Sequence, residues 1–178
     1  FFIMKICIFF FSVLLLSGLK SIQAAESLPI CRGEFKVQLS AEKQGWHNCM
    51  GSITASGGNR YMGEFKFGRP HGEGVFYFSS GDKYIGEYVA GKRHGKGIFF
   101  FANGDKYIGE YEDGERHGSG VFYFGSTGNK FIGHYKQGKR HGSGTLLFAD
   151  GTFRTGIWYA GKLKLAKRKA NTNQKNNN

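Results

Sequence analysis

The sequence predicts an all-β fold, a single-layer antiparallel meander of repeated β-hairpins that forms an elongated, twisted and curled sheet. Three observations lead there. The stretch "YIGEYVAGKRHGKG" at residues 84–97 returns as "YIGEYEDGERHGSG" at 107–120 and "FIGHYKQGKRHGSG" at 131–144, with a looser copy, "YMGEFKFGRPHGEG", at 61–74. Glycine (29 residues) and aromatics (16%) are both abundant and keep one rhythm, whereas a Gly-rich chain poor in aromatics would point to disorder. Each period also holds two short strand-like runs separated by turn residues.

The period is regular. Gly63, Gly86, Gly109, Gly133 and Gly156 mark one phase, and His71, His94, His117 and His141 another. The step is 23 residues, with one step of 24. The extra residue falls where "FANGDKY" (101–107) becomes "FGSTGNKF" (124–131), a turn tip that tolerates insertion. The strand-like runs are "KYIGEY" (83–88) and "GIFFF" (97–101). "ANGD" (102–105) and "ADGT" (149–152) lie between such runs. Asn-Gly and Asp-Gly there predict type I′ hairpins, whose central residues need positive φ. The other connection, "VAGKRHG" (89–95), reads as a longer loop. An odd period then requires an odd-length loop or a bulge in every repeat, or side chains would change faces from copy to copy. The glycines of His-Gly-x-Gly are the expected place.

The ends differ from the array. Met4-Lys5 and the apolar run "ICIFFFSVLLL" (6–16), followed by Ala24 and Ala25, predict a signal peptide over residues 1–25, with residues 1–3 an overlong start. A retained anchor is the alternative, although the run is shorter than the roughly 20 residues a span needs. Cleavage would leave Cys31 and Cys49, an even pair in an exported chain and so a disulfide candidate; two free buried thiols are the alternative. Secretion or a bacterial periplasm follows from that reading. Residues 26–58 read as an N-terminal cap and half repeat, 59–163 as the array, and 164–178 as a basic, Asn-rich tail, mostly disordered beyond a short helix near 164–169.

The pattern Y-x-G-E-Y-x-x-G-x-x-H-G-x-G resembles the MORN repeat (membrane occupation and recognition nexus) over about residues 61–163. The head "GWHNCMGSITASGGN" (45–59) is similar to the Trp-x-x-Cys element of bacterial exported MORN proteins. The last copy, "GTFRTGIWYAGKL" (151–163), lacks the His-Gly-x-Gly half and has Arg154 at the aromatic's place, as suits a capping repeat. The resemblance implies an interaction platform and, on weaker ground, lipid association.

The repeated residues suggest structure before chemistry. Histidines of neighbouring repeats stand two strands apart, roughly 9.6 Å, while zinc binds nitrogen at about 2.0–2.1 Å. They cannot share a metal, so His71, His94, His117 and His141 are read with Gly63, Gly86, Gly109 and Gly133 as structural residues of the repeat turn, and no cofactor is expected. Glu64, Glu87 and Glu110 repeat at a spacing near that of inverting glycosidase carboxylates, but any periodic ladder gives that distance. "GKGIFF" (95–100) lacks the third glycine and the following helix of a dinucleotide loop. No catalytic constellation emerges, and the chain is not read as an enzyme.

Positions that should be polar on a water-facing sheet surface are apolar: Tyr77, Ile85, Ile98, Phe100, Ile108, Tyr123 and Ile132. These are candidates for a binding or self-association face, or for ordinary packing. The net charge of +12 fits acidic partners and disfavours strongly basic ones. Arg93, Arg116, Arg140, Lys164, Lys167, Arg168 and Lys169 are candidate anion contacts, with the arginines expected along one edge of the sheet. The leading reading is a scaffold for a protein partner or for self-association. The second is peripheral docking on anionic lipid or envelope polymer. Export argues against nucleic acid, and an unrecognised active site is the least supported reading.

Overall fold

The structure, a computed structural model, describes residues 27–32 and 46–169, the last three by backbone alone. The signal-peptide reading and residues 170–178 of the tail lie outside it. Eleven strands follow in chain order in one antiparallel sheet: β1 (Cys49–Thr54), β2 (Arg60–Lys66), β3 (Arg69–Tyr77), β4 (Lys83–Val89), β5 (Lys92–Phe100), β6 (Lys106–Glu112), β7 (Glu115–Tyr123), β8 (Lys130–Lys136), β9 (Lys139–Leu147), β10 (Phe153–Tyr159) and β11 (Lys162–Lys169). It is the expected meander, an open, twisted sheet with no helix among the described residues.

The two hairpin types are the reverse of the sequence reading. "VAGK" is the two-residue type I′ turn: Ala90 (φ 50°) and Gly91 (φ 87°) both have positive φ, so the strand resumes at Lys92 and takes in Arg-His-Gly. "ANGD" is a three-residue tip, with Phe101 N donating to Asp105 O and Gly104 N to Phe101 O, each at 3.0 Å. Only Gly104 there is left-handed (φ 88°), which makes a type I turn with a glycine bulge. Asn103 keeps negative φ and its Oδ1 accepts from Asp105 N at 3.0 Å. The tip, with an odd number of residues, sets the odd period. The expected bulge is also present at His-Gly-x-Gly: Gly86 pairs with Gly97 but Tyr88 with Arg93. It holds two extra residues, so it bends the strand without exchanging its faces.

The core lies on one side of the sheet. Gly63, Gly86, Gly109 and Gly133 stand in mid-strand, not in turns, each paired with a second glycine. A ring lies across each pair. Tyr84 is fully buried, and a Cβ on Gly97 would collide with its ring. Tyr61, Tyr107 and Phe131 do the same in the other copies. Tyr84 Oη donates to Glu87 O at 3.2 Å. The rings meet edge to face along the array, Tyr84–Tyr88 at 5.3 Å and Tyr84–Tyr111 at 5.1 Å.

Both edges are laced between repeats. At the I′ turns, Gly91 N donates to Pro70 O and Gly114 N to Arg93 O. At the tips, Asn59, Asp82, Asp105 and Asn129 accept from the backbone of the next tip, at 2.7–2.9 Å. The N-terminal end is closed by the Cys31–Cys49 disulfide. It holds Pro29 and Cys31 on the free edge of β1, where Met50 N donates to Pro29 O and Cys31 N to Met50 O. At the other end the tail reading is corrected. Lys162–Lys169 is neither helix nor disordered but strand β11, paired with β10 through a bulge at Ile157/Trp158. Leu163 packs on the core cluster of Trp158, which anchors the strand.

Candidate interaction face

The arginines are not along an open edge. They point into the inner, aromatic face. Arg93 lies 5.3–5.7 Å from the rings of Tyr84, Phe99 and Tyr111, and its Nη2 donates to Gly114 O at 2.6 Å. Arg116 repeats this with Tyr107, Phe122, Tyr135 and Gly138 O. Arg140 sits 4.4 Å from the Trp158 ring. Each is half-buried, and the donations of Arg93 to Gly114 O and of Arg116 to Gly138 O staple one repeat to the next turn. The cationic place on the outside belongs to other residues. Lys164 is exposed on β11, and Lys167, Arg168 and Lys169 stand on the same edge strand.

The histidines have no common partner. His71 Nδ1 accepts from Ala90 N at 3.5 Å, His117 Nδ1 lies 2.9 Å from Glu112 Oε2, and the His141 ring is 5.3 Å from Tyr159. The glutamates play a more constant part than the sequence suggested. Glu64, Glu87 and Glu110 accept, through Oε1, the bulge N–H of Glu73, Lys96 and Ser119, at 3.1, 2.8 and 3.2 Å. Their carboxylates also press against the left-handed bulge glycines Gly72, Gly95 and Gly118. His134, which breaks the series, lies near Ser143 instead. Among the described residues no group of three or more His, Cys, Asp or Glu could hold a metal ion.

The outer face carries three parallel rows. The register joins Met62, Val75, Ile85, Ile98, Ile108, Val121 and Ile132 into a continuous central row. Beside it, aromatics and lysines alternate: Tyr77, Lys83, Phe100, Lys106, Tyr123, Lys130. Lys83 Nζ is 4.6 Å from the Phe100 ring centre and Lys106 Nζ 4.6 Å from that of Tyr123. On the other side run Glu64, Glu73, Glu87, Lys96 and Glu110. Partial burial, then Glu87 and Glu64, raises the Glu73 carboxyl above its ordinary value.

All seven apolar candidates, Tyr77, Ile85, Ile98, Phe100, Ile108, Tyr123 and Ile132, therefore share this face. Tyr77 and Ile132 remain 44% exposed and Ile85 36%. Ile85, Ile98 and Ile108 floor a groove of about 400 Å³, rimmed by Glu73, Lys96 and Glu110. Sequence reasoning missed the alternating Lys row and the Asx lacing. The signal for both was the recurring "GDKY", "GDKY" and "GNKF" before each first strand.

The MORN-repeat model matches residues 61–83, 84–106, 107–128 and 131–153. The chain belongs to the MORN-repeat family. Its β2–β3, β4–β5, β6–β7 and β8–β9 hairpins are thus MORN repeats, and the protein is a repeat protein of the binding or scaffolding kind. Among solved structures, the TCP domain of Drosophila melanogaster SAS-4, in complex with a proline-rich motif of Ana2, aligns with 71% of this chain and 87% of that one. The identity is 13% and the TM-score 0.26. No curated protein matches the chain.

Proposed function

We propose that this MORN protein is an exported scaffold that binds rather than catalyses, and that its outer face receives a protein partner or a second copy. One observation carries the reading: the central row from Met62 to Ile132 is apolar on a face that no other element of the described residues covers. A photo-crosslinking residue at Ile108 should give covalent protein adducts in the cell of origin, while the same residue at the tip position Ser126 should not. No adduct at Ile108 would remove the reading. Export is tested by intact mass: the mature chain should begin near Ala25 or Glu26, with Cys31 and Cys49 oxidised.

A second reading, docking on anionic lipid or envelope polymer, draws on Lys162 and Lys164, exposed on the edge strand β11. Each Lys or Arg at an anionic surface contributes on the order of 1 kcal/mol and fades with salt. Removing the tail would delete a strand, so the test is neutralisation of Lys162, Lys164, Lys167, Arg168 and Lys169 to Gln. Cosedimentation with anionic but not neutral vesicles should fall in that variant; equal binding to both vesicles would end this reading.

A further inference from the structure

The even-numbered strands from β2 to β8 each present three outer residues at equivalent places. They are Arg60, Met62 and Glu64 on β2, Lys83, Ile85 and Glu87 on β4, and Lys106, Ile108 and Glu110 on β6. On β8 they are Lys130, Ile132 and His134. The face is therefore positive along one margin, apolar along its centre and largely acidic along the other margin.

We propose that this face is its own complement and docks on a second copy of this chain, through a twofold axis that runs across the strands along the apolar row. The proposal rests on the reading that the outer face receives a polypeptide, and it names that polypeptide. Two in-plane twofold axes bring the face against its image. An axis along the strands keeps each margin over its own kind: on β5 it sets Lys83 over Lys106, opposed by like charge, and between two strands it sets the lysines over rings and leaves them without a carboxylate partner. An axis across the strands exchanges the margins. Lys83 of one copy then meets Glu87 of the other, Lys106 meets Glu110, and Ile85 and Ile108 meet their own images. That axis requires the margins to be equidistant from the centre, and they are: each lies two residues away, roughly 6.6 Å.

The odd strands agree with the same operation. On β5, Lys96 of one copy comes opposite Phe100 of the other, a cation over a ring. On β3, Glu73 comes opposite the hydroxyl-bearing Tyr77. Within one copy Glu73 and Glu87 are directly paired across the strands, an unfavourable contact between like charges that the opposing Lys83 offsets. Face-to-face sheets lie about 10 Å apart, a gap that Lys, Glu and Ile side chains from both sides fill. Twist carries distant strands away from the contact, which centres on β4–β7. An anionic surface fits this face poorly, because Glu64, Glu73 and Glu87 would oppose it.

Sedimentation of the purified protein between about 1 and 300 µM tests the proposal. A reversible dimer is expected. Lys83→Glu with Lys106→Glu should weaken it by about tenfold or more, and Ile108→Arg should abolish it. Glu87→Lys with Glu110→Lys should weaken it likewise, and mixing the two charge-reversed proteins should restore a heterodimer. Glu87 and Glu110 also brace the bulges, so Ile108→Cys gives an independent reading: a short bis-maleimide should link Ile108→Cys to its own image and leave Lys106→Cys unlinked. A monomer at every concentration, a dimer indifferent to Lys83, Lys106 and Ile108, or equal linking at both cysteine positions would overturn it. A monomer that still gives photo-adducts at Ile108 sinks the twofold contact and leaves the protein-binding reading standing.

Discussion

His134 stands where Glu64, Glu87 and Glu110 stand in the other repeats, and it shows what the glutamate does. A carboxylate at that place accepts a bulge N–H, 2.8 Å away in the Glu87 case. His134 has only a ring nitrogen near Ser143 Oγ and Ser143 O. His134→Glu should therefore supply an acceptor for Ser143 N and raise stability by about 0.5–1.5 kcal/mol, the net worth of a hydrogen bond. Thermal denaturation checks it; an unchanged or lower Tm would refute the bracing role. The histidines of His-Gly-x-Gly are expected to matter less. The His71 contact is long and the His117 partner is exposed, so His71→Ala should cost under about 1 kcal/mol. Zinc analysis by mass spectrometry should give the same content for His71→Ala and the unaltered protein.

At the scale of the element, the hairpin depends on an arginine that bridges to its neighbour. Arg116 lies among Tyr107, Phe122 and Tyr135 and satisfies Gly138 O in the following turn. Arg116→Met keeps much of the stem and loses the donor, so it should lower stability by about 1–3 kcal/mol in urea unfolding. An unchanged midpoint would mean that water satisfies the carbonyl equally well. This role shows where the sequence was legible and where it was not. Strand placement followed from Tyr-x-Gly-x-Tyr alternation, because period-2 side chains need no tertiary context. The turn types did not follow. Asn-Gly suits a I′ turn in isolation, but the Asx lacing from Asp82 to Ala102 N holds the tip in another form, and that partner lies twenty residues away. Arg93, Arg116 and Arg140 carry the same charge whether they bind anions or cross ring faces, so only the register could place them. β11 was missed because "KLKLAKRK" lacks the repeat's glycines and aromatics, while its pairing is imposed by the free edge of β10.

Across the whole molecule one continuous file of core rings runs from Trp46 to Trp158, beside a second file of phenylalanines, and most members of the first can ionise. Burial, as the largest cause, raises the hydroxyls of Tyr61, Tyr84, Tyr88, Tyr107 and Tyr111 well above the ordinary tyrosine value, and pushes Tyr135 up to about 12. Neighbouring carboxylates or tyrosines add to the rise at all of these but Tyr135, and Arg93, Arg116 and Arg140 oppose it at the hydroxyls they face. Each native value lies above the unfolded one, so the native state holds protons that the unfolded chain releases. Stability from these groups is complete below about pH 10 and drains as pH rises from there towards the native values. Because the rings touch along the array, from Tyr61–Tyr88 at 5.2 Å to Tyr107–Tyr135 at 5.1 Å, one ionisation weakens the site of the next. Alkaline unfolding should therefore be one steep transition that releases several protons. Tyr107→Phe tests this on its own scaffold, since Phe131 fills the equivalent place without a hydroxyl. Removing one releasable proton should reduce the pH slope of stability by about 1.4 kcal/mol per pH unit in that range. The loss of the bond to Glu110 O, 3.1 Å long, should lower stability at neutral pH by about 1 kcal/mol. Urea titrations at closely spaced alkaline pH, followed by circular dichroism, separate the two effects. A slope equal to that of the unaltered protein would show that Tyr107 does not take part in the alkaline transition.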